Sequence, residues 1–257
     1  MDYLSINRKA WDERTKIHIN SRFYDVDAFI GGKSSLNKIE LNQVGDVKGK
    51  TLLHLQCHFG LDTLSWARKG ASVTGVDLSV EAIAQANKLK NKLGLTATFI
   101  AADLYQFSDD NAKQYDIVYT SYGALCWLPD IDRWAQTVAK ALLPGGELHL
   151  IEFHPAIDLL TGYSYFSSVD PDVEVEETYT ENSDGAKSTI VTWPHSLADV
   201  ITALISVGLY IEQVNEFPYS PYNCLEDLDY VAEHGYQLLH KGQQVPLIYA
   251  IKARKLI

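Results

Sequence analysis

Cysteine, basic residues and long apolar runs are all scarce in this chain. There are three cysteines in 257 residues, Cys57, Cys126 and Cys224. They are odd in number and far apart, and none sits in a CxxC pair. That excludes a disulfide framework or a zinc cluster as the organising device. No metal ligands are assigned either, because His54 and His58 lack carboxylate or cysteine partners at a convincing spacing. Lys and Arg number 22 against 33 Asp and Glu, for a net charge of −11, with no cluster beyond the tail Lys252, Arg254 and Lys255. Nucleic acid is therefore disfavoured as a partner, since binding it rests on neutralising phosphates. No apolar run approaches the roughly 18 residues that span a bilayer, so no membrane partner is expected. The polar opening MDYLSINRKAWDERT lacks the layout of a signal peptide, and a cytoplasmic location is expected.

What is present is organised around Lys50 to Ser79. Leu52 to Leu55 is a short apolar run, the mark of a strand buried on both faces. A tight loop follows, Gln56-Cys57-His58-Phe59-Gly60. Leu61, Leu64 and Ala67 then recur at helical spacing, and Gly70 fits the end of that helix. A second apolar strand, Ala71 to Val76, ends in Asp77. Strand, tight loop, helix, strand and acid form the nucleotide half of a doubly wound α/β sheet. A carboxylate at the tip of the second strand can accept from both hydroxyls of a ribose. A pyrophosphate needs several glycines so that backbone N–H groups can close on it, and here only Gly60 is left. A crowded loop suits a ligand with adenosine and no phosphates, which points to S-adenosylmethionine.

The stretch LHLQCHFGLDTLSWARKGASVTGVDLS resembles the first two motifs of the class I (Rossmann-like) S-adenosylmethionine-dependent methyltransferases, and among them a variant bacterial group with an LQCHFG loop. Where that family commonly reads Asp/Glu-x-Gly-x-Gly-x-Gly, this chain has His54, Gln56, His58 and Gly60, so three of four depart. The resemblance implies a seven-stranded, mostly parallel sheet. It also places Gln56, Cys57, His58, Gly60, Asp77 and the following Leu78 at the cofactor. Asp103 and Leu104, after a third strand Ala97 to Ala101, fall where the family meets adenine; a helix cap is the other reading of Asp103. Ser121 and Tyr122, after a fourth strand Tyr115 to Tyr119, fall where the family faces the methyl group. They do not read Asn/Asp-Pro-Pro-Tyr/Phe, the version that methylates amino groups of nucleobases and glutamine. Leu143-Pro144-Gly145-Gly146 before the fifth strand, Glu147 to Phe153, is similar to the family's turn.

Residues 1–45 are expected to form a helical arm, and 46–257 the main domain. The arm carries Trp11, His18 and Tyr24, and it reads either as a lid over the site or as a helix packed outside the sheet. Two insertions interrupt the α/β order. Residues 155–195 carry VEVEETYT and KSTIVTW on either side of Asn182-Ser183-Asp184-Gly185, which predicts an antiparallel hairpin. Residues 218–244 precede the last strand, and their middle, Cys224 to Leu239, is expected to be one helix. Both insertions leave the carboxyl edge of the sheet, where such folds bind ligands. The hairpin can wall a pocket or serve as the contact of a homodimer.

Methyl transfer is an in-line displacement in which alignment and removal of water do most of the work. A base is needed only if the acceptor must lose a proton. His154 and His195, near the ligand edge, are candidates for that base. Tyr122 joins them as a catalytic candidate, and Trp11, His18, Tyr24 and Trp127 are placed in the wall of the acceptor pocket. The expected function is methylation of a small molecule. Two alternatives stand beside it: a nicotinamide-dependent oxidoreductase, which the glycine-poor loop speaks against, and a non-catalytic module that binds S-adenosylmethionine.

Overall fold

The computed structural model describes residues 1–225 and 228–257. Three helices precede the first strand: α1 (Tyr3–His18), α2 (Val26–Ile30) and α3 (Lys38–Val44). Strands and helices then alternate as β1 (Thr51–Leu55), α4 (Leu61–Arg68), β2 (Ser72–Asp77), α5 (Val80–Leu93), β3 (Ala97–Ala101), α6 (Leu104–Asp110), β4 (Tyr115–Ser121), α7 (Ile131–Ala141) and β5 (Leu142–Phe153). After β5 come α8 (Ala156–Thr161), the hairpin β6 (Asp172–Glu177) and β7 (Lys187–Thr192), α9 (Leu197–Ser206) and β8 (Leu209–Phe217). Four short strands follow, β9 (Asp229–Val231), β10 (Gly235–Gln237), β11 (Leu239–His240) and β12 (Gln243–Gln244), before the long β13 (Ile248–Lys255).

The central sheet has seven strands in the order β3-β2-β1-β4-β5-β13-β8. The first five run parallel, and β13 is antiparallel to both its neighbours. From β1 the chain winds outward to β3, then returns to β4 and winds the other way. The crevice between the carboxyl ends of β1 and β4 is thus the switch point where doubly wound sheets bind ligands. Leu52, Leu53 and Leu55 are fully buried, because helices cover both faces of the sheet. One layer of the core gathers around Trp134, Leu148 and Leu204, the other around Trp66, Leu52 and Ile151. The capping of α5 follows its sequence: Ser79 Oγ accepts from Ala82 N at 3.0 Å, and Gly94 closes the helix in the left-handed conformation. No helix among the described residues is long and apolar enough to cross a membrane.

The expected hairpin is present, with Asp172 paired to Thr192 and Glu177 to Lys187. Its apolar burial lies in β7, where Ile190 and Val191 are buried. In β6, Val173 and Val175 are exposed, and the half-exposed Glu176 holds the buried Arg14 Nη2 of α1 at 2.8 Å. The single helix expected over Cys224 to Leu239 is not formed. The described part of that span holds β9, β10 and β11, with residues 226–227 outside the described residues. Gly235 explains the difference. Its φ is +98°, and a Cβ there would lie 2.4 Å from the carbonyl oxygen of Ser220, a conformation and a contact incompatible with a continuing helix.

Candidate active site

The loop between β1 and α4 keeps the backbone of a glycine fingerprint without its glycines. Gln56, His58 and Gly60 have φ of 57°, 50° and 80°, so all three lie in the left-handed region. Two of them carry side chains there, at roughly 1–2 kcal/mol each. Gln56 spends its side chain on a brace: Nε2 donates to the Ala124 carbonyl at 2.7 Å, tying the loop to the segment after β4. Gln56 Oε1 and His58 Nδ1 are buried and have no hydrogen-bond partner. Gly60 is held to glycine by packing as well, since a Cβ would sit 2.7 Å from the Phe99 ring. Cys57 is buried behind the loop, its N–H bonded to the Val76 carbonyl.

Asp77 stands at the tip of β2, with Leu78 after it. Its carboxylate accepts from His58 N at 2.7 Å and from Ser79 N at 2.8 Å, so the acid clamps the loop in place. Burial pushes Asp77 up to about 6, with Asp12 adding to the rise and the two amides opposing it. At the tip of β3, Asp103 Oδ1 caps α6 by accepting from Tyr105 N and Gln106 N at 3.1 and 2.9 Å, and Leu104 is buried beneath. The capping reading of Asp103 is therefore the one its contacts display.

Helix α1 crosses these strand tips. Asp12 accepts from Ser79 Oγ at 2.6 Å and from Glu81 N at 3.0 Å, at the head of α5. His18 Nδ1 lies 2.9 Å from His58 Nε2, and its other nitrogen lies 2.5 Å from Thr178 Oγ1 beyond the hairpin strand. Trp11 packs edge-on against His58 and Trp127, both at 5.1 Å, while Tyr24 packs on His58 and Phe59. Arm and hairpin are joined along their length: Asn7 bonds the backbone of Val191 in both directions, Tyr24 Oη bonds Tyr179 Oη, and Asn182 Nδ2 donates to the Ile17 carbonyl.

On the far side of the loop, Ser121 Oγ lies 3.5 Å from Asp62 Oδ2, and Tyr122 takes a φ of 42°. The segment after β4 is held by Glu152, which sequence reasoning did not assign. Its buried carboxylate accepts from the backbone N–H of Gly123, of Ala124 at 2.8 Å, of Leu125 at 3.1 Å and of Phe153 at 2.7 Å. Trp127 Nε1 donates to the Gly123 carbonyl at 2.8 Å.

The structure thus brings together Trp11, His18, Tyr24, Gln56, His58, Asp77 and Trp127, with Tyr122 across the loop. The two histidines offered as bases are placed differently. His154 is committed at both nitrogens, with Nε2 2.7 Å from Glu216 Oε1 and Nδ1 accepting from Ala156 N at 3.0 Å. His195 donates through Nε2 to the Leu128 carbonyl at 2.7 Å, which leaves Nδ1 as a buried lone pair without a partner. Burial lowers its affinity for a proton. A surface cleft of about 480 Å³, lined by Asn20, Asp25, Gln85 and Lys88, lies between the arm and the outside of α5 and shares no residue with this group. Among the described residues no set of His, Cys, Asp and Glu side chains could hold a metal.

This architecture is that of the class I methyltransferase fold. The Mesorhizobium loti S-adenosylmethionine dependent methyltransferase superposes with a TM-score of 0.57 at 21% identity, covering 88% of this chain and 99% of that one. The DhpI–SAH complex does so with a TM-score of 0.59 at 18% identity, covering 99% and 97%. Residues 52–146 match the family model described as "Methyltransferase domain". Ubiquinone biosynthesis O-methyltransferases of Photorhabdus laumondii and Salmonella typhimurium are each 28% identical over 134 residues, 51% of this chain and 55% of theirs. The chain therefore spans about half the length of the curated relatives it matches.

Proposed function

We propose that the protein is an S-adenosylmethionine-dependent methyltransferase of the variant bacterial group with the LQCHFG loop, acting on a small molecule enclosed beneath the arm and the hairpin. One observation carries this reading: the loop at the switch point keeps three left-handed residues and is clamped by the carboxylate at the tip of β2. That is a glycine-fingerprint backbone carrying side chains at residues 56 and 58, where a pyrophosphate would require bare glycines, and so it suits an adenosyl ligand without phosphates. The chain's residues fit the cofactor. Asp77 accepts from the ribose, and the backbone beside Asp103 and Leu104 meets the adenine. The unpartnered Gln56 Oε1 and His58 Nδ1 are polar atoms for its methionine end.

When bound, S-adenosylmethionine supplies an electrophilic methyl on a cationic sulfur. The work of this chain is to align the acceptor with that carbon and to keep water away. Trp11, Tyr24 and Trp127 wall the site, and the His18–His58 contact latches the arm across it. A closed arm implies that it opens to admit the cofactor and shuts again, so the arm is a lid as well as a packing element.

Calorimetric titration with S-adenosylhomocysteine and with NAD tests this reading. Saturable binding of the first and none of the second is expected. Binding of NAD alone would move the protein to the oxidoreductases. Tight binding of S-adenosylhomocysteine without methyl turnover on any thiol, amine, hydroxyl or carboxylate acceptor would leave a cofactor-binding module.

A further inference from the structure

Across the loop from the lid lies a group of side chains of which only Tyr122 has a role above. Glu40, on α3, is 0% exposed. Its Oε1 accepts from Asn37 Nδ2 at 3.1 Å, while Oε2 is buried without a partner. Asn37 Nδ2 also donates to Tyr222 Oη at 3.0 Å. Tyr222 meets the Tyr122 ring edge-on at 5.1 Å and stacks on Phe23 at 5.4 Å. Tyr122 and the fully buried Tyr119 each end in a hydroxyl with no hydrogen-bond partner. Asp62, at the start of α4 and beside Ser121, completes the group.

Among the described residues neither Glu40 nor Asp62 forms an ion pair. Burial pushes Glu40 up to about 7, Asp62 raises it further, and no lysine or arginine opposes them. Burial likewise raises Asp62. At about 7 this carboxyl is poised between its two forms, and in either one a buried Oε2 without a partner is a cost that the one hydrogen bond at Oε1 does not offset, so packing alone does not explain why it is there. The missing element is a cation. Aromatic faces and unpartnered acceptors around a buried negative charge are the surroundings that an ammonium group takes.

We propose that this buried cluster, opened when the arm lifts, receives the protonated nitrogen of an aliphatic amine and that the protein is an N-methyltransferase for such amines. Glu40 Oε2 and the Tyr122 hydroxyl accept from two of the ammonium's N–H bonds, the third faces the sulfonium methyl, and the Tyr122 and Tyr222 rings surround the nitrogen. This rests on the methyltransferase reading and supplies its substrate class. In the reaction, Glu40 takes one proton from the ammonium, and rotation about the amine's C–N bond turns the freed lone pair toward the methyl. The freed lone pair forms the N–C bond to the sulfonium methyl as the C–S bond breaks, and that electron pair passes to sulfur. Tyr122 directly follows β4, whose carboxyl end borders the switch-point crevice beside β1, so the held nitrogen is next to the proposed cofactor site. An anionic acceptor would be repelled by Glu40 and Asp62. A neutral hydroxyl would leave their charge uncompensated.

The test uses three probes on one carbon skeleton: 2-phenylethylamine, 2-phenylethanol and 3-phenylpropionate. Each is titrated against the full chain and against Glu40→Gln, with and without S-adenosylhomocysteine, by calorimetry at pH 7.5. The amine is expected to bind at least tenfold tighter than the alcohol or the acid and to lose at least tenfold in Glu40→Gln. The same variant should keep its affinity for S-adenosylhomocysteine within twofold and should melt higher than the parent at pH 8, because an uncompensated charge has been removed. Failure of the amine to bind, or equal binding by the alcohol or acid, overturns the proposal. So does an equal loss of S-adenosylhomocysteine affinity, which would place Glu40 on the cofactor's own ammonium, or a lower melting temperature, which would make it a structural anchor. Amine binding in a protein that ignores S-adenosylhomocysteine would keep this site and remove the methyltransferase reading instead.

Discussion

His18 and His58 meet ring to ring, with Nδ1 of the first 2.9 Å from Nε2 of the second. One ring must donate and the other accept, so the contact exists only while a single proton lies between them. Burial lowers the proton affinity of both rings, bringing His18 down to about 3 with Arg14 adding to the effect, and His18 acts on His58 in the same sense. Trp11, Tyr24, Tyr179 and Thr178 complete the surroundings and bring no compensating negative charge.

The latch is therefore sensitive to acid. An unfolded or undocked histidine takes its proton near 6.5, whereas docked His18 does not until about 3. Docking is fully stabilised above 6.5 and weakens as the pH falls from there toward 3. Each such group contributes at most about 1.4 kcal/mol per pH unit. Buried His54, also brought down to about 3, adds to the loss in acid, while the raised Asp77 and Glu40 oppose it. The latch is therefore read as the difference between parent and His18→Asn: from pH 7 to pH 5 the parent should lose more melting temperature than the variant does. A variant with the same slope as the parent removes the histidine pair from the closure of the lid.

Asp77 carries a second prediction, because its two oxygens already serve two backbone amides. In Asp77→Asn one oxygen becomes an NH2 group that faces either His58 N or Ser79 N, donor against donor. The loop shifts and the charge for the ribose is lost. Affinity for S-adenosylhomocysteine should drop at least tenfold, about 1.4 kcal/mol. In the parent it should also weaken as the pH falls through about 6, where Asp77 takes up its proton. Calorimetry at pH 7.5 and pH 5.5 reads both, and an unchanged constant for the variant would place the ribose elsewhere.

Much of this site is legible in the sequence, and the illegible part has a common cause. The β1–loop–α4–β2 unit can be read because a strand buried on both faces, a tight loop and a terminal acid are local signals. Asp77 and Gly60 stand within that unit. Glu152 was open to notice: an acid inside LHLIEF, at the end of a buried strand, must find donors, and it finds four backbone amides. Glu40 was not open to notice. Its surroundings come from α3, α4, the end of β4 and the segment around Tyr222, and only the fold brings them together. The helix expected over Cys224 to Leu239 fails for the opposite reason. Its apolar residues suit a helical period, and the single contrary signal was Gly235, whose backbone no other residue would adopt beside Ser220.

Glu152 gives a third prediction. Glu152→Gln keeps the shape and exchanges one acceptor oxygen for a donor amide that confronts the N–H groups of Gly123, Ala124 or Leu125. Leaving such groups unpaired in a buried site costs about 1–3 kcal/mol each. For a chain of this length, a loss of about 2–3 kcal/mol lowers the melting temperature by roughly 5–10 °C. The segment bearing Tyr122 and Trp127 loosens with it, so turnover should fall more than cofactor affinity does. A variant that melts with the parent would show that Glu152 does not organise this segment.

The last prediction separates backbone from side chain at Gln56. The residue holds a φ of 57° and donates from Nε2 to the Ala124 carbonyl at 2.7 Å. Gln56→Ala and Gln56→Gly both delete that hydrogen bond, a loss of about 1 kcal/mol. They differ in the backbone. Alanine keeps a Cβ in the left-handed region, at a cost of about 1–2 kcal/mol, whereas glycine adopts that conformation freely and forfeits about 0.5–1 kcal/mol of chain entropy. Away from such a position glycine is the less stable of the two. Here the order should reverse, with Gln56→Gly more stable than Gln56→Ala by up to about 1 kcal/mol in denaturant unfolding. Because the hydrogen bond is absent from both variants, their difference reads the loop's backbone alone. If alanine proves the more stable, residue 56 is not held left-handed, and the loop no longer supports an adenosyl ligand at the switch point.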